Sequence, residues 1–218
     1  MLKRMHAAIL DGSFERKTGH SLGAIRCVWA AILVGFFGML RKANVASKWA
    51  NTFDPKCCLT RGDLARVRDS DDLWLRSRFS KTNQFAARTH YVPLPHTGGP
   101  LCPDTAYSNH VADYPDMTTD DLPQPAFMYD VKGKRVALSH SFFVKTIKQM
   151  LECIGKRPQD FAGHSLRQGG ASFAFLLGAT IQQVMALGDW VSLAVLGYNE
   201  TEVDFLQALP RRMASAAT

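Results

Sequence analysis

His164 and Arg167 stand three apart in GHSLRQGGAS, a spacing that projects both side chains from one face of a helix. If His164 opens that helix, its free backbone N–H groups and the positive end of its dipole already favour an anion. An arginine adds a planar fork of donors that matches phosphate oxygens two at a time. The pair thus makes a phosphate cradle, although a capped helix with an arginine ion pair accounts for the same residues. Further on, Trp190 follows Gly188-Asp189, and Tyr198 follows Gly197. A free phenol has a pKa near 10, so ionising it at pH 7 costs about 4 kcal/mol. Cations gathered around one phosphate offset that cost. These four side chains are expected to meet at one phosphate, with Tyr198 as the attacking group. Gly169-Gly170, just inside the helix, costs roughly 1 kcal/mol per glycine. Either close approach of a backbone or ligand, or tight helix packing, accounts for it.

The elements that position these residues are legible in outline. Residues 1–19 are short and mixed, with a helical turn or two around residues 5–10. Ser21 is a candidate cap for the apolar run over residues 24–40, where Ile25, Val28, Trp29, Ile32, Leu33, Phe36, Phe37 and Leu40 recur at helical spacing. The run is apolar on every side, which puts it in the core. Arg41 and Lys42 follow it, and by position alone they complement the negative end of that helix. Residues 57–60, 64–67, 73–79 and 89–94 then alternate like strands, and a small antiparallel sheet of about three strands fits. Lys81 lies in the turn before the last of them, where a lysine is ordinarily just solvated. The proline-rich stretch 93–125 is irregular apart from a short helix over residues 104–113. From Ser139 or Ser141 onward the chain returns to helices, ending at Gly155, Gly178 and Gly188. A last short helix from Ser192 presents Tyr198. The order is helices, small sheet, helices.

The 218 residues suffice for one sizeable core. The net charge of +7 and pI near 9.3 favour an anionic partner, either nucleic acid or an acidic membrane surface. Cys27, Cys57, Cys58, Cys102 and Cys153 contain no CxxC pair, which argues for a reducing compartment and against a disulfide framework or zinc cluster. The longest uncharged apolar run, residues 27–40, is shorter than the roughly 18 residues of a membrane span. The first ten residues carry Lys3, Arg4 and His6 and lack a signal-peptide pattern. An intracellular protein with no membrane partner is expected.

Arg41 after a long apolar helix, Lys81 in a β-turn, HSLR, GDW and Tyr198 occur in one order along the chain. In this the chain resembles the catalytic domain of the tyrosine recombinases, the phage-integrase family, over roughly residues 21–200. GFFGMLRKANV, RFSKTNQ and GHSLRQGGAS are similar to the versions carried by eukaryotic mobile elements of the Crypton and DIRS-like kinds. The resemblance implies an α+β fold, mainly α, with a helical catalytic domain and a small three-stranded antiparallel sheet. Residues 1–20 become a lead-in and residues 201–218 a tail that contacts a neighbouring protomer through Phe205, Leu206 and Leu209. It also implies roles: Arg41 and Arg167 clamp the scissile phosphate, His164 hydrogen-bonds it and assists proton transfer, and Lys81 is general acid to the leaving 5′ oxygen. Trp190 donates to the phosphate or positions Tyr198, which forms a 3′-phosphotyrosyl link. No cofactor and no metal are implied. The implied partners are double-stranded DNA and other protomers in a tetrameric synapse, with a nuclear location if the source is eukaryotic.

The chain departs from the family at Asn44, where an acidic residue often follows the first arginine by three places. The family also carries a separate N-terminal DNA-gripping domain, whereas about 20 residues precede the long helix here. A fragment, a partner-supplied clamp or a truncated mobile-element remnant are the expectations that follow. A non-enzymatic DNA-binding remnant and a type IB topoisomerase-like enzyme are the alternative functions. Candidate base-reading or phosphate-contacting residues lie around Arg61, Arg66, Arg76, Arg78 and Arg88.

Overall fold

The computed structural model describes residues 1–49, 52–66, 72–79, 89–115 and 123–198. Helices α1 (Leu2–Leu10) and α2 (Ser13–Thr18) lead the chain, a longer helical start than the sequence suggested. Both are pinned to the body of the molecule: Met5, Ala8 and Phe14 join the main core, and the Arg4 guanidinium donates to the Ile154 carbonyl at 2.6 Å.

The apolar run forms α3 (Leu22–Phe37), capped by Ser21, whose hydroxyl accepts from the Ala24 N–H at 3.3 Å. Eleven of its sixteen residues are buried, Val28, Ala30, Ala31, Leu33 and Val34 completely, so the helix is the axis of the core. It stops earlier than its hydrophobicity does. Gly38 caps it, and Met39 takes a left-handed conformation (φ 47°) that no α-helix can continue. Arg41 therefore does not complement the C-terminal end of α3 as its sequence position suggests. It is the N-cap residue of a separate short helix, α4 (Lys42–Val45).

Strands β1 (Leu64–Arg66), β2 (Leu73–Ser77) and β3 (His90–Leu94) form the expected three-stranded antiparallel sheet in the order β1-β2-β3. Leu75 pairs with Leu64 on one side and Val92 on the other, and all three face the core, as strand alternation requires. Residues 57–60, expected to be strand-like, are a turn followed by an isolated bridge between Thr60 and Pro125. Residues 80–88, where a turn carrying Lys81 is expected from the sequence, lie outside the described residues.

Inside the proline-rich stretch the short helix forms as α5 (Pro103–Ala112) and packs on α3. A hairpin of β4 (Met128–Val131) and β5 (Lys134–Ala137) follows, which the sequence reading overlooked. Its two-residue turn, Lys132-Gly133, has both residues at positive φ (50° and 74°), the geometry that joins twisted strands. Helix α6 (His140–Cys153) starts at Ser139, whose hydroxyl accepts from the Phe142 N–H at 3.3 Å. Helices α7 (Ser165–Leu176) and α8 (Ile181–Gly188) and a 3-10 turn over Leu193–Tyr198 complete the described chain. The molecule is mainly α with a small antiparallel sheet, as the sequence implied. Among the described residues no helix is long and apolar enough to cross a membrane.

Candidate functional site

Helix α7 lies against the C-terminal end of α3, and its two glycines make that possible. A Cβ on Gly170 would fall on the Phe36 carbonyl oxygen, whereas one on Gly169 would meet only the Phe36 ring at 3.3 Å. Tight backbone packing accounts for Gly170. It brings Arg167, one turn earlier, over the broken end of α3. There the Arg167 Nη1 donates to the Met39 carbonyl at 2.5 Å. The left-handed turn at Met39 thus both ends a helix and offers the arginine an acceptor.

Arg167 is buried, at 4% exposure, and its Nη2 has no hydrogen-bond partner. Its guanidinium carbon sits 3.5 Å from the Trp190 ring centroid, a stacked cation–π contact. Burial first, and then the neighbouring Arg41 charge, pull its pKa down to about 10, against the opposing pull of Tyr198 and Asp189. The guanidinium still carries its charge at neutral pH. A buried cation with an orphan donor is a costly arrangement for a protein that binds no anion there.

Trp190 reaches Arg167 because of the two residues before it. Gly188 lies inside α8 and does not itself end the helix. A Cβ there would land within the Trp190 ring, so glycine gives the indole its place. Asp189 adopts the left-handed cap (φ 53°) that turns the chain back. The Trp190 ring then meets the Tyr198 ring edge-on, with centroids 6.1 Å apart. The Ser172 hydroxyl of α7 donates to the Tyr198 carbonyl at 2.7 Å, and fully buried Val195 anchors the turn. Met39, Ala171, Val184 and Val195 make a small second core under this assembly.

Arg41 and Arg167 line one cleft, with Asn44, Ser77, His90 and Asp189. Asn44 stands where the sequence resemblance implies an acid. Its Oδ1 accepts from the Arg41 N–H at 3.2 Å, and its Nδ2 donates to the Phe79 carbonyl at 3.1 Å. A carboxylate could make only the first of these bonds. Asn44 therefore ties the arginine segment to the end of β2. His90 on β3 bonds the Leu187 carbonyl at 3.1 Å, which fixes α8 to the sheet. His164 is the N-cap residue of α7, exposed and without a side-chain capping bond. Among the described residues no carboxylate pairs with Arg41 or His164. The structure thus gathers Arg41, Arg167, Trp190 and Tyr198, with His164 at the start of the same helix; Lys81 lies outside the described residues.

The wider basic face is different from the expectation. Arg61 is buried and donates to the Tyr114 and Val111 carbonyls. Arg66 pairs with Asp104 at 2.7 Å, and Arg76 and Arg78 both pair with buried Asp63, at 3.1 and 2.6 Å. Burial alone would raise the Asp63 pKa, but hydrogen bonds from Arg78 and Thr60 outweigh it and hold the carboxyl below its usual range. These four arginines brace the sheet; Arg88 lies outside the described residues. Sequence reasoning missed the Met39 carbonyl, a backbone group that leaves no residue-type signal, and Ser172. Among the described residues no cluster of three or more His, Cys, Asp or Glu could hold a metal ion.

No protein-family model and no curated protein matches the chain by sequence. The fold does have a counterpart among solved structures. It is similar to that of the XerH site-specific recombinase bound to a palindromic difH substrate in a post-cleavage complex, with a TM-score of 0.66 at 15% identity. The alignment covers 96% of this chain and 50% of that one, so this chain spans about half the length of that recombinase. The likeness is one of fold: the chain has the fold of a tyrosine recombinase catalytic domain.

Proposed function

We propose that this chain cleaves and rejoins duplex DNA through a 3′-phosphotyrosyl intermediate, with Tyr198 as the nucleophile. The observation that carries the reading is the buried Arg167 guanidinium, which keeps an unpartnered Nη2 while lining a cleft with Arg41 close to Tyr198. Arg41 and Arg167 bind the non-bridging oxygens of the scissile phosphate. The Tyr198 oxygen attacks phosphorus as the bond to the 5′ oxygen breaks. His164 hydrogen-bonds the phosphate and assists removal of the phenolic proton. Lys81 delivers a proton to the departing oxygen, leaving a 5′-hydroxyl. Trp190 braces Arg167 against Tyr198.

Charge on the phosphate oxygens grows in the pentacoordinate transition state, where each preorganised donor is worth about 3–4 kcal/mol. General-acid help at the leaving oxygen adds about 10²–10⁴-fold. The phosphotyrosine keeps the bond energy, so a 5′-hydroxyl from another strand reverses the step without a nucleotide cofactor. Double-stranded DNA as partner, protomer assembly on it, descent from eukaryotic mobile elements and a nuclear location belong to the same reading. The post-cleavage, DNA-bound state of the structural neighbour supports the DNA partner and the cleavage reaction.

Incubation with nicked duplex followed by denaturing electrophoresis tests the proposal. The wild type is expected to yield a protein–DNA adduct and Tyr198→Phe none. A wild type that binds duplex and forms no adduct on any substrate sinks the enzyme reading and leaves a binding protein. Strand joining that needs a second DNA site separates recombination from topoisomerase-like relaxation.

A further inference from the structure

The stem of Lys42 lies along the backbone of Gly163. A Cβ built on that glycine would meet Lys42 Cδ at 2.9 Å, Cε at 3.0 Å and Nζ at 3.1 Å. Gly163 does not have a positive φ, so its backbone conformation is open to other residues. What the glycine supplies is room for the lysine. Lys42 is the first residue of α4, directly after Arg41, and Gly163 directly precedes His164 at the start of α7. The ammonium is thereby held where the two phosphate-binding segments meet.

Nothing in the described protein accounts for holding it there. Lys42 is half-buried, and among the described residues its ammonium has neither a carboxylate nor a hydrogen-bond partner. Its charge bears on one titratable neighbour: burial first, and then Lys42, lower the pKa of His140. The neighbouring Arg167, 4% exposed with its Nη2 unpartnered, independently indicates an anion at this end of α7.

We infer that Lys42 is a DNA-binding residue. Its ammonium contacts the phosphate backbone of the cleaved strand beside the phosphate held by Arg41 and Arg167, and Gly163 exists to seat it. The inference rests on the reading of this cleft as a DNA phosphate site. Lysine suits the task as a compact point charge, where the scissile phosphate calls for the arginine fork. Its role is to register the strand, and it takes no part in the chemical step.

The test is equilibrium binding of a duplex to the full chain across a salt series. One phosphate contact contributes about 0.9 to the slope of log K against log salt. Lys42→Gln is expected to weaken binding several-fold at low salt and to flatten the slope by about that amount. Its melting temperature should stay at the wild-type value, since the ammonium has no partner in the protein to lose. Gly163→Ala should reproduce the binding defect by displacing the lysine, and the double variant should be no worse than either single one. An unchanged slope in Lys42→Gln, with wild-type binding and adduct formation intact, overturns this inference and spares the enzyme reading. A lowered melting temperature with an unchanged slope overturns it too, by showing that the lysine stem merely packs. Losses that add in the double variant refute the role given to Gly163. A wild type that binds no duplex removes both readings together.

Discussion

Arg167 is placed to be a structural brace and, in the proposed reaction, a reagent as well. One nitrogen is tied to the Met39 carbonyl, one face of the guanidinium is covered by Trp190, and Nη2 is left over. A lysine cannot divide itself in this way. It has no planar face to stack and no second donor in a fixed direction. Arg167→Lys is expected to cut the rate of adduct formation by about 10²–10³, the cost of one preorganised donor. Equilibrium binding of duplex should change much less, because the loss falls on charge that develops only in the transition state. A variant within about tenfold of the wild-type rate would exclude Arg167 from the reacting phosphate. Trp190 depends in turn on Gly188, which reads in the sequence as an ordinary helix stop. That misreading is instructive: Asp189 supplies the stop, and the glycine is needed because an aromatic ring occupies the space its side chain would take.

At the scale of the element, the site is made by docking α7 on the broken end of α3. Gly169 and Gly170 look alike in the sequence but meet different neighbours. An alanine at 169 presses on the Phe36 ring, which can turn aside, and gains up to about 1 kcal/mol of helix propensity. An alanine at 170 meets backbone at the Phe36 carbonyl, which cannot turn aside. Gly170→Ala is therefore expected to destabilise the fold by about 1–3 kcal/mol and to depress adduct formation further by shifting Arg167. Gly169→Ala should be close to neutral in both. Thermal melts of the two variants side by side check the contrast, and equal destabilisation would refute it. The same elements show what was legible beforehand. Residues apolar on every side can only be a core helix, so α3 was plain, and alternation marked β2 and β3. The hairpin β4–β5 was not, because each four-residue strand is too short for a period to register. The dipole reading of Arg41 failed because hydrophobic residues continue through Met39 and Leu40 after helical geometry has ended. The arginines of the sheet looked like a free basic face because Asp63 and Asp104, distant from some of them in sequence, become partners only in the fold.

At the scale of the whole molecule, the main core holds a titratable group that sets an acid limit on stability. His110, on α5 at 1% exposure, stacks on Phe127 and meets Tyr107 and Tyr114 at its edges. Its Nδ1 has no partner. Burial first, aided by the Arg61 charge and opposed by Asp113, pulls its pKa from 6.5 down to about 4. The unfolded chain thus takes up a proton near pH 6.5 that the folded chain refuses until about pH 4. Stability is full above pH 6.5, falls as pH drops through that window, and has lost about 3 kcal/mol by its lower end. Burial lowers the pKa of His6 and His140 as well, so both add to the loss. His96 acts in the opposite sense, since a hydrogen bond to Asp104 raises its pKa, but it lies in solvent, where screening leaves little net effect. Denaturant titrations at pH 7.5 and pH 5 are expected to show the wild type losing at least about 2 kcal/mol between them, the share of the His110 window which has titrated by pH 5. His110→Leu should be less stable at pH 7.5, because it gives up the ring contacts with Phe127 and the two tyrosines. It should also lose markedly less than the wild type on going to pH 5, because the group that binds the extra proton on unfolding has gone. Parallel losses in the two proteins would show that the acid limit lies elsewhere, in the carboxylates around the sheet arginines or in self-repulsion of a chain that already carries a charge of +7.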